Sequence, residues 1–212
     1  MVFYIPGHLT QQAKINMVQY VGIHHPAFGT CDLEGTIRFW RDLLGMRLVY
    51  TSNEGGSRQV FFSVSGENYI VFFEWPNACC LPYRRHGEPK AGEQAFDHVS
   101  IQVADETQLW DLIGRLDAAG KPASDIVDHG FCRSLYSYDP NNIPIEFLCM
   151  REDIDLKGKP VFADPDPLPA MSDGDDPIHG HWPAPEAIPL EEREVNPGAS
   201  FKDFPLPDST EK

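Results

Sequence analysis

Basic charge is scarce in this chain: 17 Lys and Arg stand against 32 Asp and Glu, for a net charge of −15. A nucleic-acid partner is disfavoured, because a polyanion is bound through a basic face. Long apolar runs are missing as well. None approaches the roughly 18–20 residues that would span a bilayer, so no membrane association is expected. The opening stretch MVFYIPGHLTQQAKINMVQY lacks a basic segment followed by an apolar one, and no signal peptide is expected. The cysteines Cys31, Cys79, Cys80, Cys132 and Cys149 are odd in number and irregularly spaced, and no CxxC occurs. This pattern indicates neither a disulfide framework nor a thiolate zinc site. A reducing, cytoplasmic setting is the expectation.

What the chain does contain is enough for one good-sized domain: 212 residues, 42% hydrophobic and 11% aromatic. Much of the acidity is local. Residues 151–212 hold 15 Asp/Glu against 6 Lys/Arg, and 11 of the 19 prolines. That composition, without a sustained period, reads as a tail or an extended arm able to clasp a second subunit, so a homodimer is expected. The tail's His179 and His181 are candidate metal contacts, with solvated histidines as the plain alternative. Residues 1–17 form an N-terminal extension, and the folded body spans 18–150.

The body carries an internal repeat. GIHHPAFGTCDLE (22–34) and AFDHVSIQVADET (95–107) align at an offset of 73, matching His25 with His98 and Asp32 with Asp105. Each aspartate precedes a stretch of helical period, DLEGTIRFWRDLLG and DETQLWDLIGRLDAAG, for which it is a plausible N-cap; Gly45 and Gly120 are plausible stops. Three strand-like runs follow in each half: 46–52, 58–64 and 69–75, then 123–129, 132–138 and 143–149. The expected fold is therefore α+β, two tandem βαβββ modules (18–76 and 95–150, linker 77–94) whose curled mixed sheet surrounds a metal-binding cleft. The linker is a simple connection or a cover for that cleft.

Alternate side chains of a strand share a face, and repeat symmetry would bring His25 and His98 together. A buried imidazole needs a partner. Either each is a satisfied core histidine or the two share a ligand. Glu146 interrupts the apolar run 143–148, where a carboxylate needs pairing, with Arg133 for example, or a metal. Two imidazoles and one carboxylate make the facial set that leaves open positions for Fe(II) chemistry; Zn(II), Ni(II), Mn(II) and Co(II) suit it too. Glu74, ending the last strand of the first half, is a possible fourth ligand or proton-transfer group, with a surface residue as the alternative.

These histidines, their following aspartates, FWRDLLGM and the doubled βαβββ resemble the vicinal oxygen chelate superfamily. It includes glyoxalase I, extradiol ring-cleaving dioxygenases, epimerases, and bleomycin- or fosfomycin-resistance proteins. DHGFCRSLYSYDPNNIPIEF (128–147) is similar to the extradiol dioxygenase pattern in His129, Leu135-Tyr136, Asp139-Pro140 and Glu146. The resemblance implies one divalent ion, Fe(II) favoured, held by His25, His98 and Glu146. It implies that His129 assists at bound oxygen or a substrate oxyanion and that Tyr136 bonds a substrate oxygen. The substrate would be a small aromatic or vicinal-oxygen molecule. Two positions depart from the pattern: Asn142 stands where glycine or proline is usual, and Glu74 replaces a catalytic histidine. Glutamate there is what glyoxalase I-like isomerases use, so a lyase or isomerase is the second reading. A non-catalytic small-molecule binding protein is the third.

Overall fold

The computed structural model describes residues 21–54, 57–75, 77, 79–83, 96–177, 186–193 and 195. The N-terminal extension, most of the linker, and His179 and His181 lie outside the described residues. Contacts divide the chain into Met1–Asp155 and Leu156–Lys212. In the second unit the described residues are mostly exposed and contain two short 3-10 turns, Pro169–Met171 and Leu190–Glu192.

The first unit repeats one βαβββ pattern. The first half runs β1 (Ala27–Thr30), α1 (Leu33–Ile37), β2 (Arg47–Glu54), β3 (Ser57–Ser65) and β4 (Asn68–Glu74). The second runs β5 (Val99–Gln102), α2 (Glu106–Ala118), β6 (Val127–Asp128), β7 (Cys132–Tyr138) and β8 (Pro144–Met150). The sheet orders are β1-β4-β3-β2 and β5-β8-β7-β6, with the first strand of each half parallel to the last and the others antiparallel. The sheets are curled, not closed. This is the expected α+β pair of modules.

The helix ends follow the repeat. Asp32 accepts the Gly35 amide at 2.9 Å, and Asp105 accepts the Gln108 amide at 3.2 Å, satisfying N-terminal donors that helices leave open. Gly45 and Gly120 follow the helices at φ +80° and +63°, where a side chain would be strained. The first helix is not α-helical throughout. After Ile37 it widens into a π-helical turn over Arg38–Leu43, with the Leu44 amide reaching the Phe39 carbonyl. An apolar stripe sets which face is buried but not the winding, so this was illegible in the sequence. In the second half the 123–129 run pairs only at Val127–Asp128 and through an Ala123–Ser137 bridge.

One core joins the halves. Trp40, Phe62 and Phe72 of the first and Leu109, Leu135, Ile145 and Phe147 of the second belong to it. A buried polar lock adds to it at the β7–β8 turn. Asp139 accepts the Trp40 indole N–H at 3.3 Å, and Asn141 bonds both Thr30 and Thr36. Asn142 sits at φ +61°, the left-handed geometry that asparagine tolerates. The linker residues next to this turn are docked on it: the Leu81 amide reaches the Asn141 carbonyl, and Tyr83 packs on Tyr138 with ring centroids 4.6 Å apart.

One expectation is corrected here. Cys31 and Cys80 form a disulfide, with Cα atoms 5.8 Å apart, inside the bridging range. The pairing spans 49 residues and depends on the linker folding back, which cysteine spacing does not reveal. Among the described residues no helix is long and apolar enough to cross a membrane.

Candidate functional site

Strand register decides which side chains face the inner surface of each sheet, away from the helices. In the second sheet Ser100 and Tyr136 both lie opposite Glu146, so these three share a face, and His98 joins them two residues before Ser100. Ile101, Leu135 and Phe147 take the other face and enter the core. Arg133 also points to the helix side, where it pairs with Glu106 of α2 and lies 3.7 Å from Asp128. Arg133 is therefore not the partner of Glu146.

Glu146 is 6% exposed. Its Oε1 accepts the Tyr136 hydroxyl at 2.9 Å, and its Oε2 lies 3.2 Å from Nε2 of His98. Burial alone would push this carboxyl up. Hydrogen bonds from Ser100, Ser134 and Tyr136, with His98 nearby, outweigh burial and hold it below the usual range. Tyr136 shows the converse: burial, then its bond to Glu146, pushes the phenol up to about 12. Its hydroxyl proton is committed to Glu146, so the 2.8 Å contact with His129 has Nε2–H of His129 donating to the phenol oxygen. On the other side of His98, Nδ1 lies 2.6 Å from Oδ1 of Asp97. A continuous chain thus runs Asp97–His98–Glu146–Tyr136–His129, from a half-buried carboxylate to an exposed imidazole.

His98 and Glu146 are spaced as two ligands of one ion. Donors about 2.1 Å from a common metal lie ~3.0 Å apart at a right angle and ~3.4 Å apart at the tetrahedral angle, and the observed separation of 3.2 Å falls between these. With Nδ1–H given to Asp97, the Nε2 and Oε2 atoms need a cation between them, either a proton or a metal. Among the described residues no three His, Cys, Asp or Glu converge as a metal-holding group.

The structure places the remaining candidates elsewhere. His25 precedes β1, is exposed, and lies on the inner face of the first sheet with its ring 5.6 Å from Phe61. Its Nδ1 is 2.7 Å from Nδ1 of His24. Val21 and Ile23 beside it are 94% and 78% exposed. Glu74 faces the helices: Oε1 accepts the Leu33 amide at 3.3 Å, and Oε2 takes Arg58 at 2.7 Å. Its face is that of Phe72, which packs on Trp40 at 5.7 Å. The counterpart of Glu146 is Val71: adding 73 to Ala27 gives Ser100, and Ala27 lies opposite Val71 as Ser100 lies opposite Glu146.

Asp97, Ser100 and Ser134 were missed from sequence. Strand alternation from Glu146 and His98 was the available signal for the serines, and adjacency to His98 for Asp97. Beside His98 opens a cavity of about 450 Å3 whose walls include Tyr69, Phe96, Ser100 and Gln102.

Known proteins agree with this architecture. The sequence model of the Glyoxalase/Bleomycin resistance protein/Dioxygenase superfamily matches residues 22–147, more than half of the chain. The chain belongs to that superfamily. No curated protein matches it in sequence. Among solved structures, a glyoxylase/bleomycin resistance protein/dioxygenase domain from Frankia sp. EAN1pec is 21% identical over 63% of this chain and 100% of its own, with a TM-score of 0.54. Lactoylglutathione lyase from Agrobacterium tumefaciens is 21% identical over 61% of this chain and 94% of its own, TM-score 0.46. A mutant fosfomycin resistance protein FosX from Listeria monocytogenes, complexed with Mn(II) and 1S,2S-dihydroxypropylphosphonic acid, is 20% identical over 61% and 92%, TM-score 0.44. At these identities the likeness is one of fold.

Proposed function

We propose that this protein is a divalent-metal-dependent enzyme of the dioxygenase type, acting on a small aromatic substrate with two adjacent oxygens. The observation that carries the reading is the run of contacts from His98 to Glu146 at 3.2 Å and, by hydrogen bonds, on through Tyr136 to His129. Glu146, Tyr136 and His129 belong to the stretch that is similar to the extradiol pattern, and they lie together beside His98.

His98 through Nε2 and Glu146 through Oε2 would hold the ion; His25, the third ligand the resemblance implies, does not converge on them in this structure. Bound there, a divalent ion would supply Lewis-acid stabilisation of an oxyanion and, as iron, the redox chemistry that oxygen needs. Tyr136 acts as a donor, not a base, because its phenol keeps its proton through neutral pH. By engaging Oε1 it orients Glu146 so that Oε2 faces His98. His129, at the exposed end of the chain, is the group able to exchange protons with solvent or substrate. The isomerase reading requires a second carboxylate on the inner surface. Glu74 is engaged with Arg58 and the start of α1, and Val71 occupies the matching position, so neither supplies that carboxylate.

Protein loaded anaerobically with Fe(II) should consume oxygen when given a panel of catechols, and Glu146→Ala should not. Full iron occupancy with no uptake on any diol would remove the reading. Turnover of a hemithioacetal or epoxide with Ni(II) or Mn(II) and no oxygen would replace it with the isomerase or lyase class.

A further inference from the structure

The contact between Asp97 and His98 has a direction built into it. An ionised carboxylate only accepts, so the 2.6 Å approach requires Nδ1 of His98 to carry the proton. The ring is then left with Nε2 turned to Glu146 Oε2, 3.2 Å away. The two residues are neighbours in the chain, so little conformational freedom is lost in making the bond. The segment before β5 is also anchored: Phe96 packs on Phe28 with centroids 5.6 Å apart, and Phe28 packs on Phe72 of the core.

We propose that Asp97 is a positioning residue that fixes the orientation and tautomer of His98, presenting Nε2 as the donor to a divalent ion shared with Glu146. This rests on the metal-dependent reading above and goes beyond it, because Asp97 touches neither ion nor substrate. A carboxylate behind a ligating imidazole holds the ring and makes its other nitrogen more basic; loss of such a partner commonly weakens metal binding roughly 10–100-fold.

The test is the dissociation constant of the full chain for Mn(II) and Zn(II), measured by calorimetry or chelator competition, for wild type, Asp97→Ala, Asp97→Asn and His98→Ala. Asp97→Ala should weaken binding by roughly 10–100-fold. Asp97→Asn, whose amide oxygen still accepts from Nδ1–H, should recover part of the loss. Metal-free melting temperatures of the two Asp97 variants should stay close to wild type. Wild-type affinity in Asp97→Ala, with affinity lost in His98→Ala, overturns the positioning role and leaves the metal reading standing. Weakened binding that tracks a lowered melting temperature, without rescue by asparagine, also overturns it. Undiminished binding in His98→Ala overturns both.

Discussion

The polar lock at the β7–β8 turn offers a quantitative test of how the halves are joined. Asp139 is 3% exposed and accepts four hydrogen bonds: from the amides of Asn141 and Ile143 at 2.8 and 2.9 Å, from Nδ2 of Asn141 at 2.9 Å, and from the Trp40 indole at 3.3 Å. Thr36 holds only the other hydrogen of Asn141 Nδ2, so Asp139→Ala strands four donor hydrogens: two backbone amides, the indole and one side-chain amide hydrogen of Asn141. A buried donor left unmade costs about 1–3 kcal/mol, giving a sum of about 4–12. Water entering the vacated space recovers part of that, which points to about 3–5 kcal/mol. For a domain of this size that is a fall of roughly 10 °C in melting temperature. Urea unfolding of the full chain, followed by tryptophan fluorescence, reads both the stability and the Trp40 environment. A loss under about 1 kcal/mol, with Trp40 fluorescence unchanged, would refute the assignment of Asp139 as a lock and return it to ordinary turn chemistry.

Three further outcomes are expected. Glu74→Gln should leave metal affinity within about twofold of wild type and lower stability by under about 1 kcal/mol, because its partner Arg58 is largely exposed; a tenfold loss of affinity would restore Glu74 to the ligand set. Tyr136→Phe should lift the Glu146 carboxyl toward its ordinary range by removing one of the bonds that lower it. In the wild type the Tyr136 phenol is raised above its unfolded value of ~10 to about 12, so its stabilisation is full below the unfolded value and is lost as pH rises through the folded one. Absorbance titration at alkaline pH should show one late tyrosine that the variant lacks, and the two titrating alike would contradict the geometry. Reduction of Cys31–Cys80, separated by 49 residues, should cost up to about 4 kcal/mol on loop entropy; mass spectrometry under non-reducing conditions that finds every cysteine free would remove the bridge.

The fold was legible because the repeat is carried by residue types with local mechanisms. An aspartate cap, a following helical stripe and a glycine stop occur twice at one offset, and strand alternation does the rest. The grouping in the second half was legible for the same reason: Glu146 in an apolar run marks an inner-face position where charge is retained. The first half was not. Phe72 and Glu74 do share a face, but which face turns inward is set by Trp40 packing on Phe72, a tertiary contact across 32 residues. Asp139 reads locally as turn chemistry, and nothing near it announces that its partner is Trp40, 99 residues away. The bridge between Cys31 and Cys80 is hidden likewise, since it depends on the linker returning to the start of α1.

The two halves copy a backbone but divide the chemistry. In the first sheet the inner face around Val71 carries Phe61, Tyr69 and Tyr50, with Phe61 packed edge-on against Tyr50. In the second, the matching surface holds Ser134, Tyr136 and Glu146, with Ser100 on β5. A buried carboxylate is tolerated only where donors surround it, and Glu146 has them on three sides. At the Val71 position the neighbours on that face are instead aromatic rings, Phe61 and Tyr69 among them. The orientation of Glu146 is set within its own sheet, by Tyr136 on Oε1 and His98 beside Oε2. Tyr69, which lines the cavity beside His98, supplies from the first sheet an aromatic wall of the kind a small planar substrate packs against.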